Sequence, residues 1–124
     1  MMSSGAGHAG IFSTVTDLKY LIKHLLTSPT GKEMIIPGKL NQRGLGLDIN
    51  GKYSSPIKGS CFSNKSISHT GYTGTSFIAN PENGDFLIIL TNRTLSPLSF
   101  SQSIRSLNKV RRMLANKVCE ISPY

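Results

Sequence analysis

Ser68-His69-Thr70-Gly71-Tyr72-Thr73-Gly74-Thr75 is followed by Ser76-Phe77-Ile78-Ala79-Asn80, then Pro81-Glu82-Asn83-Gly84, then Asp85-Phe86-Leu87-Ile88-Ile89-Leu90-Thr91-Asn92-Arg93. A polar triplet ends one short run, and two apolar runs follow it. The Pro-Glu-Asn-Gly step between those runs is turn chemistry, with Gly84 where a positive φ is needed. The spacing predicts three successive antiparallel strands, with the triplet His69-Thr70-Gly71 on the first. Side chains alternate along a strand, so His69 and Gly71 share one face and Thr70 points to the other. A glycine at an exposed strand leaves room for a second backbone or a ligand beside it. Unpaired N–H groups at a sheet edge can bind an extended substrate or hold a developing oxyanion. Read blandly, the same triplet is a solvated surface strand ending in a tight turn.

Working outward, Val15, Leu18, Leu21, Ile22, Leu25 and Leu26 recur at helical spacing. Ser13 or Thr14 can cap that helix, Asp17 suits the positive end of its dipole, and His24 falls on the surface side. Ser28-Pro29 and Gly31 end it, and Lys32 to Ile36 reads as a short helical turn before Pro37-Gly38. Leu45 to Ile49 reads as a strand. Asn50-Gly51 after it is the strongest short hairpin signal in the chain, with a return strand from Lys52-Tyr53 that Pro56 shortens. Residues 54 to 65 read as an irregular loop. Phe86 to Leu90 is apolar at every position, which predicts a central strand covered on both faces. Ile104, Leu107, Val110, Leu114, Val118 and Ile121 mark a final helix over Ser101 to Ile121, capped by Ser99 or Ser101. Arg105, Lys109 and Arg112 then lie on its solvated side. The fold class expected is α+β: an antiparallel sheet packed by an N-terminal and a C-terminal helix.

The composition sets limits. The 124 residues suit one small domain, taken as residues 1–124. Met1 to Gly7 has neither the charged start nor the apolar run of a signal peptide. No stretch has the length of a membrane span. Cys61 and Cys119 lack metal-ligand spacing and the three histidines are far apart, so no metal and no cofactor are expected; the two cysteines could pair in an oxidising compartment, with two free thiols as the default. Asn64-Lys65-Ser66 and Asn92-Arg93-Thr94 fit the glycosylation sequon, which matters only in a eukaryotic secretory pathway. A net charge of +8 invites a nucleic-acid partner, yet no basic patch is interleaved with aromatics and no nucleic-acid-binding motif occurs, so none is expected.

His69-Thr70-Gly71-Tyr72-Thr73-Gly74-Thr75, Asn80-Pro81-Glu82-Asn83-Gly84 and Leu90-Thr91-Asn92-Arg93 together resemble the third active-site element of the serine β-lactamase and penicillin-binding-protein superfamily. Within it, the class C β-lactamase, esterase and D-aminopeptidase-like branch is the nearest in kind, where His often replaces Lys in the Lys-Thr-Gly box. Gly7-His8-Ala9-Gly10-Ile11-Phe12-Ser13-Thr14-Val15-Thr16-Asp17-Leu18 resembles that family's Gly-Leu-Phe-Ser-Thr-x-x-Asp-Leu helix start. Arg43-Gly44-Leu45-Gly46-Leu47 resembles its Tyr-Gly-Leu-Gly-Trp strand. These matches, in order, cover residues 7 to 93 and correspond to the C-terminal part of the family's domain, a partial β-lactamase/transpeptidase-like fold.

The resemblance implies acyl transfer on β-lactam, ester or D-peptide substrates. It implies that His69 binds a substrate carboxylate or tunes the tyrosine of the family's second box, which does not occur in these residues, that Thr70 hydrogen-bonds the carboxylate, and that Gly71 keeps the strand edge clear. The backbone N–H of Tyr72 would be one of two oxyanion donors. An ordinary imidazole is mostly neutral at pH 7, so His in the box favours an esterase or peptidase-like relative over a true β-lactamase. The family's nucleophile lies in an S-x-x-K box, and a Y-x-N or S-x-N box helps with its proton. S-x-x-K occurs at Ser55-Pro56-Ile57-Lys58 and Ser106-Leu107-Asn108-Lys109, but 17 serines and 9 lysines in 124 residues produce about one match by chance. Neither match has the position of a nucleophile. No Y-x-N occurs, and the one S-x-N overlaps Ser106. A chain without nucleophile and base is expected to be inactive alone and to self-associate through exposed sheet surface. The alternatives are a non-catalytic binding module on the same fold or, less in keeping with the motifs, a basic nucleic-acid-binding protein. The compartment stays open, although the family is often exported in bacteria.

Overall fold

The computed structural model describes residues 10–39 and 42–122. The reading of Met1 to Gly7, and the Gly7-His8-Ala9 part of the helix-start match, lie outside the described residues. Three helices and three strands follow in order: α1 (Val15–Thr27), α2 (Pro29–Met34), β1 (Ile67–Thr70), β2 (Ser76–Ala79), β3 (Phe86–Ile89) and α3 (Phe100–Ile121), with a 3₁₀ turn at Ser55–Ile57.

Thr14 caps α1, its Oγ1 accepting the Asp17 N–H at 3.2 Å. Ile22 and Leu25 bury the inner face of the helix, while His24 stays exposed as expected. Ser28 serves two helices. Its N–H closes α1 on the His24 carbonyl, and its hydroxyl caps α2 by accepting from Gly31 N–H at 3.0 Å, with Pro29 at the first helical position. Gly31 is required there, since a Cβ would stand 2.3 Å from the Leu25 carbonyl oxygen.

The strands form one antiparallel sheet in the order β1-β2-β3, pairing Ile67 with Ala79, His69 with Phe77 and Thr70 with Ser76, then Phe77 with Ile88. Gly84 takes φ +81°, the positive value expected of the β2–β3 turn. Two cores lie on the two faces. Ile22, Leu25, Leu47, Ile49, Ile67 and Ala79 pack between α1 and one face. Phe62, Ile78 and Ala115 pack between the other face and α3. This double cover explains the unbroken apolar run of β3. The expected central position is nevertheless corrected: β2 is the middle strand, and no described residue pairs with the outer edge of β3.

Two further expectations change. Leu45 to Ile49 is not a continuous strand, and Asn50-Gly51 does not turn a hairpin. Gly46 bends the chain at φ +74°, and only Asp48 bridges to the sheet, exchanging both backbone hydrogen bonds with Ser68 at 2.7 and 2.8 Å. The buried Ser54 hydroxyl then replaces a return strand: it accepts Gly51 N–H at 3.0 Å and lies 3.0 Å from the Ile49 carbonyl oxygen. A local side-chain bond has outcompeted the ladder.

The cysteines are not free thiols. Cys61 and Cys119 form a disulfide across 58 residues, with Cα atoms 5.4 Å apart. Sequence spacing could not show this, because the loop 54–65 is drawn under α3 by contacts distant in the chain. Gly59 lies so close that a Cβ would stand 2.6 Å from the Ala115 carbonyl carbon, Asn116 Oδ1 accepts Ser60 N–H at 2.9 Å, and Arg112 donates to the Ser55 and Pro56 carbonyls at 2.9 and 3.2 Å. Arg112 is thus an anchor on an exposed face and not merely a solvated charge. Closing a loop of this length stabilises by roughly 2–4 kcal/mol. Reduction, or Cys61→Ser, is expected to lower the urea midpoint accordingly; an unchanged midpoint in reducing buffer would count against the linkage contributing to the fold.

Candidate functional site

The polar triplet closes β1 and enters a tight turn to β2. Ser68 directs its backbone N–H and C=O to Asp48, away from β2. By the alternation of antiparallel pairing, Thr70 directs its own N–H and C=O to that same outer side. Gly71 turns back inward, donating its N–H to the Thr75 carbonyl at 2.8 Å, and Gly74 N–H closes the turn on the Gly71 carbonyl at 3.1 Å. Among the described residues no backbone acceptor takes the Tyr72 N–H. Gly74 adopts φ +113°, and a Cβ there would stand 2.7 Å from Thr91 Oγ1. At Gly71 a Cβ would meet Thr75 Oγ1 at 2.5 Å, so this glycine lets the turn close.

The turn is held from beneath by a residue absent from the sequence reading. Arg111, in the middle of α3, is only 5% exposed. Its Nη2 donates to the Gly74 carbonyl at 2.6 Å and the Thr75 carbonyl at 3.3 Å, its Nε to Ser76 Oγ at 3.0 Å, and its Nη1 to Asn108 Oδ1 at 2.8 Å. Burial, and secondarily the charge of Arg93, lower its pKa from the usual guanidinium value. The buried face of α3 therefore runs through Ser103, Arg111 and Ala115, whereas Val110 and Ile121 of the expected apolar stripe are 42% and 81% exposed. Spacing carried a signal: Arg111 is four residues from both Leu107 and Ala115, on their side of the helix. A second arginine flanks the turn. Arg93 donates its backbone N–H to the Thr73 carbonyl at 2.7 Å and accepts the Ser96 N–H at 3.0 Å, while its guanidinium lies over the Tyr72 and Phe100 rings at 4.7 and 4.3 Å.

His69 and Thr70 lie on opposite faces, as alternation predicts. His69 is exposed and borders a groove of about 510 Å³ between α1 and the sheet, with Leu18, Leu21, Phe77 and Leu90. Thr70 is half-buried and borders a smaller cavity of about 230 Å³ on the α3 side, with Tyr72 and Arg93. Gly71 borders both. A single ligand can meet His69 and Thr70 together only around the open edge of β1.

Neither S-x-x-K serine joins this arrangement. Ser55 opens the 3₁₀ turn, and Lys58 donates to the Ser63 carbonyl at 3.0 Å, with burial lowering its pKa. Ser106 is exposed on α3. Neither serine lines the groove or the cavity.

The profile of the β-lactamase family matches residues 1–109 of the chain. Two enterobacterial proteins named "Putative D-alanyl-D-alanine carboxypeptidase" are similar in sequence. The one from Escherichia coli O157:H7 is 30% identical over 114 residues, and the one from Salmonella typhi is 32% identical over 111 residues. These alignments cover 82% and 79% of the chain but 26% of each relative, so the chain spans about a quarter of their length. Among solved structures, a β-lactamase from Mycobacterium bovis shares the fold with a TM-score of 0.56 at 22% identity, over 79% of this chain and 43% of that one.

Arg111→Met is expected to destabilise the protein by roughly 2–4 kcal/mol, because Ser76 and two turn carbonyls lose a charged donor while buried. Arg111→Lys rescues little of this, since a lysine cannot span the same fork of acceptors. Denaturant unfolding with amide exchange at Gly71 and Gly74 checks both; wild-type protection in the Met variant would show that the turn stands without the arginine.

Proposed function

The chain belongs to the β-lactamase family, and we propose on that basis that it supplies one side of an acyl-transfer site. The observation that carries the reading is the end of β1, where the outward amide of Thr70 and the amide of Tyr72 flank Gly71 and neither has a hydrogen-bond acceptor among the described residues. In this reading the Tyr72 N–H polarises the acyl carbonyl and holds the oxyanion that forms when a serine oxygen adds to it. Thr70 hydrogen-bonds the substrate carboxylate, and His69 approaches the same substrate from the α1 side. The C–N or C–O bond of the substrate then breaks, the leaving group takes a proton, and water cleaves the acyl-serine ester. The names of the relatives suggest peptides ending in D-Ala-D-Ala as the substrate class.

The nucleophile is not among these residues. Neither Ser55 nor Ser106 lines the concavities beside the Tyr72 amide, and on this reading the 124-residue chain by itself is expected not to turn over substrate. A fluorescent penicillin or fluorophosphonate is expected to leave it unlabelled. A stoichiometric adduct on either serine would overturn that. Binding is tested separately: an acyl-D-Ala-D-Ala peptide is expected to shift the Thr70 and Tyr72 amide resonances, and the L,L peptide is not. Amides that stay put, or that respond equally to both peptides, would sink the reading.

The reading extends to association. The outer edge of β3 is unpaired among the described residues, and Leu90 beside it is exposed. Such an edge recruits another strand. Size-exclusion chromatography is expected to show an oligomer whose share grows with concentration; a monomer at all concentrations would contradict it.

A further inference from the structure

The outward side of α3 carries charge of one sign. Residues 49–81 and 86–119 contain no Asp or Glu. Those two stretches hold nine of the 14 lysines and arginines, so positive charge gathers on α3 and on the loop packed against it. The one acid of the helix, Glu120, pairs with Lys117 near its C-terminal end. Arg112 donates to the Ser55 and Pro56 carbonyls, which satisfy its N–H groups and leave its charge in place.

Helical spacing sorts the exposed residues into two lines. Arg105, Lys109 and Arg112 follow at i, i+4 and i+7, and all three are exposed. Val110, Met113 and Ile121 form the neighbouring line and are exposed as well. Lys109 and Met113, four residues apart, sit side by side, on the side of the helix opposite the buried Arg111 and Ala115. From Arg105 to Ile121 the two lines run about 24 Å along the helix axis. None of these side chains borders the groove or the α3-side cavity. The outside of a packed helix is convex, which suits an extended partner better than a small ligand.

An extended partner has to be anionic to match the basic line. It also has to accept hydrocarbon, to cover Val110, Met113 and Ile121. A nucleic-acid backbone meets only the first requirement, since phosphates gain nothing from exposed hydrocarbon and neither line holds an aromatic ring on which a base could stack. An anionic bilayer meets both: its headgroup phosphates attract Lys and Arg, and the acyl boundary beneath them takes apolar side chains.

We propose that the outward face of α3 docks on the surface of an anionic lipid bilayer. Arg105, Lys109 and Arg112 lie against the phosphates, and Val110 and Met113 reach the acyl boundary. The helix lies in the plane of the surface and stays packed on the sheet; no helix among the described residues is long and apolar enough to cross a membrane. The face is made of residues outside the β1 edge, so the proposal does not rest on the acyl-transfer reading.

Vesicles of phosphatidylcholine alone, and of phosphatidylcholine with about 30% phosphatidylglycerol, serve as probes in a flotation assay on the disulfide-bonded 124-residue protein. Binding is expected on the anionic vesicles only, falling at least about tenfold as salt rises from about 0.05 to about 0.5 M. Arg105→Gln with Lys109→Gln is expected to weaken it at least about tenfold, and Met113→Ser a few-fold. Lys19→Gln with Lys23→Gln removes the same charge from α1 and is expected to weaken it less than about threefold. Equal binding to neutral vesicles would assign the contact to exposed apolar surface and overturn the proposal. Equal losses in the two double variants would do the same, as would tighter binding to duplex DNA than to anionic vesicles at equal phosphate. All the substituted residues are exposed, and the comparison among vesicles and DNA holds on the unmodified protein.

Discussion

The guanidinium of Arg111 joins the two halves of the molecule where a hydrophobic contact could not. The β1–β2 turn points its Gly74 and Thr75 carbonyls inward, and a helix packed there with only hydrocarbon would leave them unsatisfied. Arginine presents several N–H groups in one plane, enough to serve both carbonyls, the Ser76 hydroxyl and Asn108 together. Burying such a charge is costly, and the lowered pKa of the group reflects it. The fourfold coordination offsets that cost. Because the turn is fixed, so are Gly71 and the Tyr72 amide, and with them the end of β1 that no described residue pairs on its outer side.

The elements with strong local signals were legible in the sequence. Three strands, the Gly84 turn, the Thr14-capped α1 and the Ser99-capped α3 all follow from periodicity and turn chemistry. What could not be read was set by partners far away in the chain. Asn50-Gly51 carries a strong hairpin signal, yet Ser54 satisfies its backbone first and Gly46 bends the approach. Cys61 and Cys119, 58 residues apart, meet because contacts at Gly59 and Arg112 bring the loop 54–65 onto α3. The apolar run of β3 was read as a central strand, but cover on both faces says nothing about neighbours in the sheet plane. Arg111 shows a different failure. Its spacing placed it on the buried face, and its residue type argued it off that face.

At the site, alternation along β1 was legible and its consequence was not. The sequence places His69 and Thr70 on opposite faces, but only the fold shows that each face opens onto its own concavity, with Gly71 between them. The strand end is therefore a partition with a narrow gap. Chemistry that uses both residues has to take place at the edge, where the backbone amides are, and not within either concavity. On the proposed reading more of the work falls to N–H groups than to side chains, and residue type alone does not mark them, because every residue but proline has one; the Tyr72 amide is singled out only through the resemblance of the box around it.

The charge of the chain follows from the same internal arrangement. A net charge of +8 suggests a surface made for polyanions. Yet Arg111 is bound to carbonyls inside the fold, Arg112 holds the 3₁₀ turn to α3, and Arg93 is stacked on two aromatic rings. Three of the five arginines thus work as donors to the chain's own backbone or rings. Backbone carbonyls accept hydrogen bonds without supplying a negative charge, so each such contact satisfies an arginine while leaving its charge uncancelled. These three arginines thus give part of the positive total a structural reason independent of any polyanion.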